Sequence, residues 1–97
     1  MKYVNNDWNQ LQALLKKMGN PPFSITDDVD LIGEDIDTLG NLVKVGGYLD
    51  LEQTKIKSLG NLEYVGGYLD LRNSSLSKKY SKEQIRKHVK VKGNIFL

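Results

Sequence analysis

Cysteine is absent from this chain of 97 residues, and histidine occurs once, at His88. A disulfide framework and thiolate chemistry are therefore excluded. A zinc centre with two or more soft ligands from one chain is excluded on the same ground. A Ser-His-Asp or Cys-His nucleophilic site would have to rest on His88, whose place in a basic helical segment reads as structural. Long apolar runs are also lacking: nothing approaches the roughly 18 to 20 residues of a membrane span. The opening Met1 to Asp7 has no apolar stretch of the signal-peptide kind. These absences point to the cytoplasm as the expected location. No Gly-x-x-x-x-Gly-Lys-Ser/Thr phosphate loop is present. Asp27-Asp28-Val29-Asp30 has the acids of a calcium loop without its glycine and terminal glutamate. No enzyme, cofactor or metal centre is expected.

What is present is an ordinary globular composition, 39% apolar and 27% charged, which is neither that of a disordered chain nor that of a membrane protein. The length fits one domain. The net charge of +2 conceals two opposed surfaces. Residues 1–26 carry +2; residues 27–70 hold three lysines against ten acids, a net −7; residues 71–97 hold eight Lys or Arg against one Glu, a net +7. Each surface could have its own partner.

Internal repetition dominates the pattern. Leu39-Gly40-Asn41-Leu42-Val43-Lys44-Val45-Gly46-Gly47-Tyr48-Leu49-Asp50-Leu51 returns 20 residues later as Leu59 to Leu71, with eleven of thirteen positions identical. Ile36, Ile56 and Leu76 keep the same offset, and Val29-Asp30-Leu31 stands 20 residues before Leu49-Asp50-Leu51. Val91-Lys92-Gly93-Asn94-Ile95-Phe96-Leu97 repeats the pattern at an offset of 26, six residues longer.

One repeat has a simple physical reading. Leu49-Asp50-Leu51 alternates as a short strand with one buried face. Ile56, Leu59, Leu62 and Val65 then recur every third residue, which turns an apolar side chain inward at each step of a tight turn or 3₁₀ segment. Gly46-Gly47 and Gly66-Gly67 fall where the chain turns back, a place for residues that tolerate positive φ. One such coil cannot bury its own apolar set, so coils must stack, strand beside parallel strand about 4.8 Å apart.

Read from Leu49 to Val65, Leu-x-Leu-x-x-Thr-x-Ile-x-x-Leu-x-x-Leu-x-x-Val resembles a leucine-rich repeat of the short bacterial kind. Val-Gly-Gly-Tyr-Leu-Asp-Leu also resembles the strand segment of leucine-rich-like proteins of bacteria and phages. The resemblance covers roughly residues 27–77 and returns at 91–97. It departs from the commoner pattern where Glu34, Thr54 and Ser74 replace the asparagine that follows the strand. It implies an α/β leucine-rich-repeat solenoid with a short-stranded parallel sheet, and for function it implies protein binding alone. The expected organisation is a cap over 1–26, repeats over 27–77 and an expanded last repeat over 78–97.

A solenoid needs caps. From Asp7 to Met18, Trp8, Leu11, Leu14, Leu15 and Met18 share one helical face, with Asn6 or Asp7 as N-cap and Gly19-Asn20-Pro21-Pro22 as the stop. Trp8 reads as the apolar lid over the first coil. Ser81-Lys82-Glu83-Gln84 has the form of a capping box, opening a helix to about Val89 inside the expanded repeat.

If Leu49 and Leu51 point inward, their neighbours point out and align in rows across the coils. The rows are Asp28, Tyr48, Tyr68, Asn94; then Asp30, Asp50, Asp70, Phe96; then Ile32, Glu52, Arg72. Aspartates side by side repel. Three readings of that row stay open: a solvated by-product of duplication, a carboxylate ladder for a metal, or a protein-binding row. Tyr48 and Tyr68 favour the last, because aromatic side chains are common anchors. The expected protein-binding residues are Tyr48, Asp50, Glu52, Tyr68, Asp70 and Arg72, in a non-catalytic interaction module suited to an inhibitor or adaptor. The alternative is nucleic-acid binding through Lys78, Lys79, Lys82, Arg86, Lys87, Lys90 and Lys92. The sequence closes on the apolar Ile95-Phe96-Leu97 inside the last strand, an open edge that pairing in a homodimer would satisfy. Its rivals are a helix from Ser81 to Val89 folded over the edge, or repulsion by Lys90 and Lys92.

Overall fold

The computed structural model describes residues 3–4 and 8–97; the candidate N-caps Asn6 and Asp7 lie outside them. In chain order the elements are β1 (Tyr3–Val4), α1 (Trp8–Lys17), β2 (Phe23–Ile25), β3 (Val29–Asp30), β4 (Leu42–Val45), β5 (Leu49–Asp50), β6 (Tyr64–Val65), β7 (Leu69–Asp70), α2 (Lys82–His88), β8 (Lys90–Val91) and β9 (Ile95–Phe96). The fold is α/β, with two parallel sheets: five strands in the order β1-β3-β5-β7-β9, and four in the order β2-β4-β6-β8.

Only one sheet is expected from the sequence; the second is a correction. Leu62 to Val65 reads as a turn because its apolar residues are three apart, yet the backbone extends there and pairs. Lys44, Tyr64 and Lys90 stand side by side and outward, while Val45, Val65 and Val91 stand side by side and inward. Over two residues a three-residue spacing and a strand alternation cannot be told apart, and β-branched valine favours the strand. In the five-stranded sheet the register aligns Val29, Leu49, Leu69 and Ile95, and beside them Asp30, Asp50, Asp70 and Phe96.

Both sheets face one core. A middle turn supplies Leu49, Leu51, Ile56, Leu62 and Val65, none more than 3% exposed. Each such burial contributes about 1.5–3 kcal/mol, and only stacking makes it possible. The corners are closed by local bonds that repeat from turn to turn. Thr54 and Ser74, three residues past Leu51 and Leu71, donate their hydroxyls to the carbonyls of those leucines at 2.8 and 2.6 Å. An asparagine ladder exists instead at the far corner, where the Asn61 amide donates to Asn41 Oδ1 at 3.1 Å and Asn41 donates to the Asn20 carbonyl.

Gly46 and Gly66 are needed for a reason other than the expected one. Neither has positive φ. A Cβ on Gly46 would be driven into the Thr26 carbonyl, and one on Gly66 into the Gly46 carbonyl of the preceding turn. At Gly93 it would meet the Gly67 carbonyl carbon at 2.7 Å. These are places where backbone lies directly on backbone.

Helix α1 closes the first turn. Trp8 is buried, its indole N–H donates to the Thr38 carbonyl at 3.2 Å, and its ring lies tilted on Phe23 with centroids 6.1 Å apart. Leu15 is buried too, but Leu14 and Met18 are 56% and 64% exposed, so the apolar face is narrower than its spacing suggests. Helix α2 carries the capping box: Ser81 Oγ accepts from Gln84 N–H and Gln84 Oε1 accepts from Ser81 N–H. Its Arg86 donates to the carbonyls of Val91 at 2.6 Å and Gly93 at 2.9 Å. In earlier turns the carbonyls at these places, on Val65 and Gly67, accept from Lys92 and Gly93 N–H. One guanidinium thus supplies both donors that another turn would supply.

Two substitutions test this arrangement by urea unfolding. Gly66→Ala forces apart the two turns and should cost about 3 kcal/mol or more, as overpacking against a rigid backbone does. Arg86→Ala leaves two carbonyls without charge-assisted donors and should cost about 1–3 kcal/mol, with Arg86→Lys recovering only part.

Candidate interaction face of the five-stranded sheet

The outer face of the five-stranded sheet is set by the turn repeat. Tyr48 and Tyr68 occupy equivalent places in adjacent turns, and their rings stack at 4.6 Å with an interplanar angle of 4°. That separation is close to the spacing of neighbouring strands, so the sheet itself sets the stack. Phe96 extends the aromatic strip, meeting Tyr68 edge-on at 5.8 Å. It comes from the aspartate row, because Asn94 takes the tyrosine place in the last turn.

The aspartate row differs from its expected form. Asp50 and Asp70 are 5% and 2% exposed, so they are not the solvent-facing row that their alternation with leucine implies. Asp30 and Phe96 stand beside the pair in the flanking strands, and the Arg72 guanidinium lies on Asp70. Each aspartate also holds a turn. Asp30, Asp50 and Asp70 accept through Oδ1 from the N–H two residues on, at Ile32, Glu52 and Arg72, at 3.2, 3.1 and 3.1 Å. This Asx turn steers the chain out of each strand, and it gives the repeated aspartate a structural reason. Asp28, one place earlier, accepts at 3.0 Å from Tyr48 N–H of the next turn. That contact was not legible in the sequence, because it joins residues in different turns and has no local pattern.

The two buried aspartates have opposite electrostatics. At Asp70, burial pushes the pKa up, but the hydrogen bonds and charge of Arg72 outweigh it and hold the carboxyl below its ordinary value. Arg72 donates from Nε at 3.1 Å and from Nη2 at 2.7 Å, and the same Nη2 lies 2.9 Å from Glu52 Oε1. Its guanidinium also lies 5.2 Å from the centre of the Phe96 ring. Asp50 has Glu52 where Asp70 has Arg72. Burial therefore dominates, the charges of Glu52, Asp70 and Asp30 add to it, the Glu52 N–H only partly opposes it, and the pKa rises to about 6. Burial, with Asp50 beside it, raises Tyr68 as well.

The face can hold charge and aromatic contact in one place. Among the described residues one group of carboxylates, Asp50, Glu52 and Asp70, has oxygens within 4.8 Å of one another. The Arg72 guanidinium already lies on Glu52 and Asp70, so this is an ion-pair network rather than a vacant cation cage.

The basic residues are spread over the other end. Lys78 and Lys79 precede α2, Lys82 and Lys87 lie exposed on it, and Lys90 and Lys92 point out beyond it. Lys79 lies 5.5 Å from the centre of the Tyr80 ring. Arg86 is exposed on α2 with these lysines, and its guanidinium donates to the Val91 and Gly93 carbonyls. In β9, Ile95 is buried and Phe96 is exposed, and Leu97 just past it is half-buried; among the described residues β9 pairs only with β7. No helix among the described residues is long and apolar enough to cross a membrane.

The raised pKa of Asp50 fixes the sign of one stability effect. The folded state binds the Asp50 proton more tightly than the unfolded chain, so Asp50 weakens the fold as pH rises through about 4 to 6. Asp50→Asn keeps the Asx acceptor and removes the charge. It should stabilise by about 1–2 kcal/mol at pH 8, allowing for solvent screening, and by nothing near pH 3. Thermal unfolding of both proteins across that range measures the difference. Compared with protein-family models, curated proteins and solved structures, the chain matches none.

Proposed function

We propose that this chain is a short leucine-rich-repeat solenoid and serves, without catalysis, as a protein-interaction module of the inhibitor or adaptor kind. The partner docks on the outer face of the five-stranded sheet, over Tyr48, Tyr68 and Phe96 and the charged groups beside them. The observation that carries the reading is the continuous aromatic strip, with Tyr48 and Tyr68 stacked at 4.6 Å and Phe96 edge-on to Tyr68. Tyrosine presents a large contact area at little conformational cost and keeps a polar tip for hydrogen bonding, which suits an anchor at an interface. The repeat offset of 20 residues, shared by the strands of both sheets in the middle turns, supports the solenoid reading.

Nucleic-acid binding through the basic end has weaker support. Arg86 is engaged with backbone carbonyls, and Lys79 lies over Tyr80. The lysines that remain could contact phosphate, with Tyr80 on their own segment and Tyr64 beside Lys90 as aromatic neighbours, whereas the stacked rings lie on the other sheet.

Capture of a partner from a bacterial lysate tests the reading. Tyr48→Ala with Tyr68→Ala should reduce capture by about tenfold or more, the loss expected when two anchors are removed, and should leave the circular dichroism spectrum unchanged. Undiminished capture by a folded double variant would contradict it, as would capture lost only when Lys82, Lys87 and Lys90 are neutralised.

A further inference from the structure

The four-stranded sheet has an outer face of its own, opposite in charge to that of the five-stranded sheet. The register sets Lys44, Tyr64 and Lys90 side by side in β4, β6 and β8. Lys92, two residues past Lys90, points the same way, because side chains alternate along a strand. It stands beside Gly66, since Val91 pairs with Val65. The three lysines are exposed and Tyr64 is half-buried. Among the described residues no carboxylate is in ion-pair contact with any of the three. A Cβ on Gly66 would come 3.5 Å from Tyr64 Cε1, so the ring leans along its own strand over the place where a side chain is missing. Beyond Lys90 the face runs into an open hollow of about 450 Å³ at the junction of α2 and β8, where Arg86, Lys87 and Lys90 stand against one carboxylate, Glu63. The Val91 and Gly93 carbonyls fix the Arg86 guanidinium, which keeps its charge.

We infer that this face binds single-stranded nucleic acid, with phosphates on Lys44, Lys90 and Lys92 and one base stacked on Tyr64. It is a second surface, on the other sheet from the proposed protein-docking face, and neither needs the other. Unpaired cations gathered on one face call for a partner with several negative charges. Two features select nucleic acid among such partners. Lysine is depleted at the centre of protein–protein interfaces, whereas Lys and Arg are the residues that contact phosphate. An aromatic ring set among lysines offers a stacking platform, which a single strand can use and a duplex, with its bases already stacked, cannot. The site is centred on β6, not on the run of Lys78, Lys79 and Lys82.

The probe is a fluorescein-labelled oligothymidylate of about ten nucleotides, read by anisotropy, with a duplex of the same length and polyglutamate as controls. Wild type should bind the single strand about fivefold or more tighter than either control. Log affinity should fall against log salt with a slope of about −2, three phosphate contacts at about −0.7 each. Lys44→Gln with Lys90→Gln should bring the slope to about −0.7. Tyr64→Ala should weaken binding about tenfold or more with the slope unchanged, which separates stacking from charge. Tyr64→Trp keeps a ring in the sheet and gives a second reading. It should retain affinity, and its indole fluorescence should be quenched by the bound base, while the buried Trp8 stays constant. Tyr48→Ala with Tyr68→Ala, on the other sheet, should change affinity by less than about twofold.

No binding of the single strand at low salt, a slope unmoved by the two glutamines, or a Tyr64→Trp protein that binds without quenching would overturn the inference. Polyglutamate bound as tightly as the oligonucleotide, with no effect of Tyr64→Ala, would assign the face to an acidic protein segment instead. Equal affinity for the duplex would overturn the stacked base. Loss of oligonucleotide binding in the Tyr48→Ala, Tyr68→Ala variant would overturn the placement on this sheet.

Discussion

Backbone must lie directly on backbone at Gly46, Gly66 and Gly93, and the rest of the structure depends on it. At these corners the chain crosses from one sheet to the other, and the carbonyl of the turn before occupies the space that a side chain would take. The approach brings each turn into the same register as its neighbour. From that register follow the aligned core residues Leu49 and Leu69, the aligned Asp50 and Asp70, and the stacked Tyr48 and Tyr68. A shift of one residue would exchange the core row for the outer row. The surface is therefore a product of the same constraint that builds the core.

That constraint also explains why chemically identical residues behave differently. Asp50 and Asp70 hold the same turn through the same Oδ1 acceptor. What separates them is the side chain two residues later, Glu52 in one turn and Arg72 in the next. Arg72 spans two turns, holding Asp70 in its own and Glu52 in the one before. The result is a face with one satisfied carboxylate and one costly one, set side by side. Charge of one sign in adjacent strands opposes folding, and the Asx turns together with Arg72 offset part of that cost.

Much of the fold is legible in the residues because periodicity reports burial directly. The strands at Leu49-Asp50 and Leu69-Asp70, the helix starting at the Ser81 capping box and the lid made by Trp8 follow from local pattern. The second sheet was hidden because Tyr64-Val65 is too short for its period to be distinguished from that of a turn. The role of Gly66 was hidden because a steric contact with Gly46 leaves no local trace apart from the glycine itself. For the candidate site the aligned rows were legible, but their burial was not. Alternation assigns Asp50 to the outer face of the sheet, yet between Asp30 and Asp70 of the flanking strands it is only 5% exposed. Arg86 could not be separated from the surrounding lysines by sequence, because the Val91 and Gly93 carbonyls that it meets lie beyond the end of its helix.

The account therefore stands on two equivalent aspartates having unequal environments. Carbon-detected NMR titration of the side-chain carboxyls, with Asp50 and Asp70 assigned, measures this without any substitution. The account predicts an Asp50 midpoint near 6, and an Asp70 midpoint below the ordinary carboxylate range. Two aspartates titrating together in the ordinary range would contradict it, because neither the register that buries Asp50 nor the hold of Arg72 on Asp70 could then be as described.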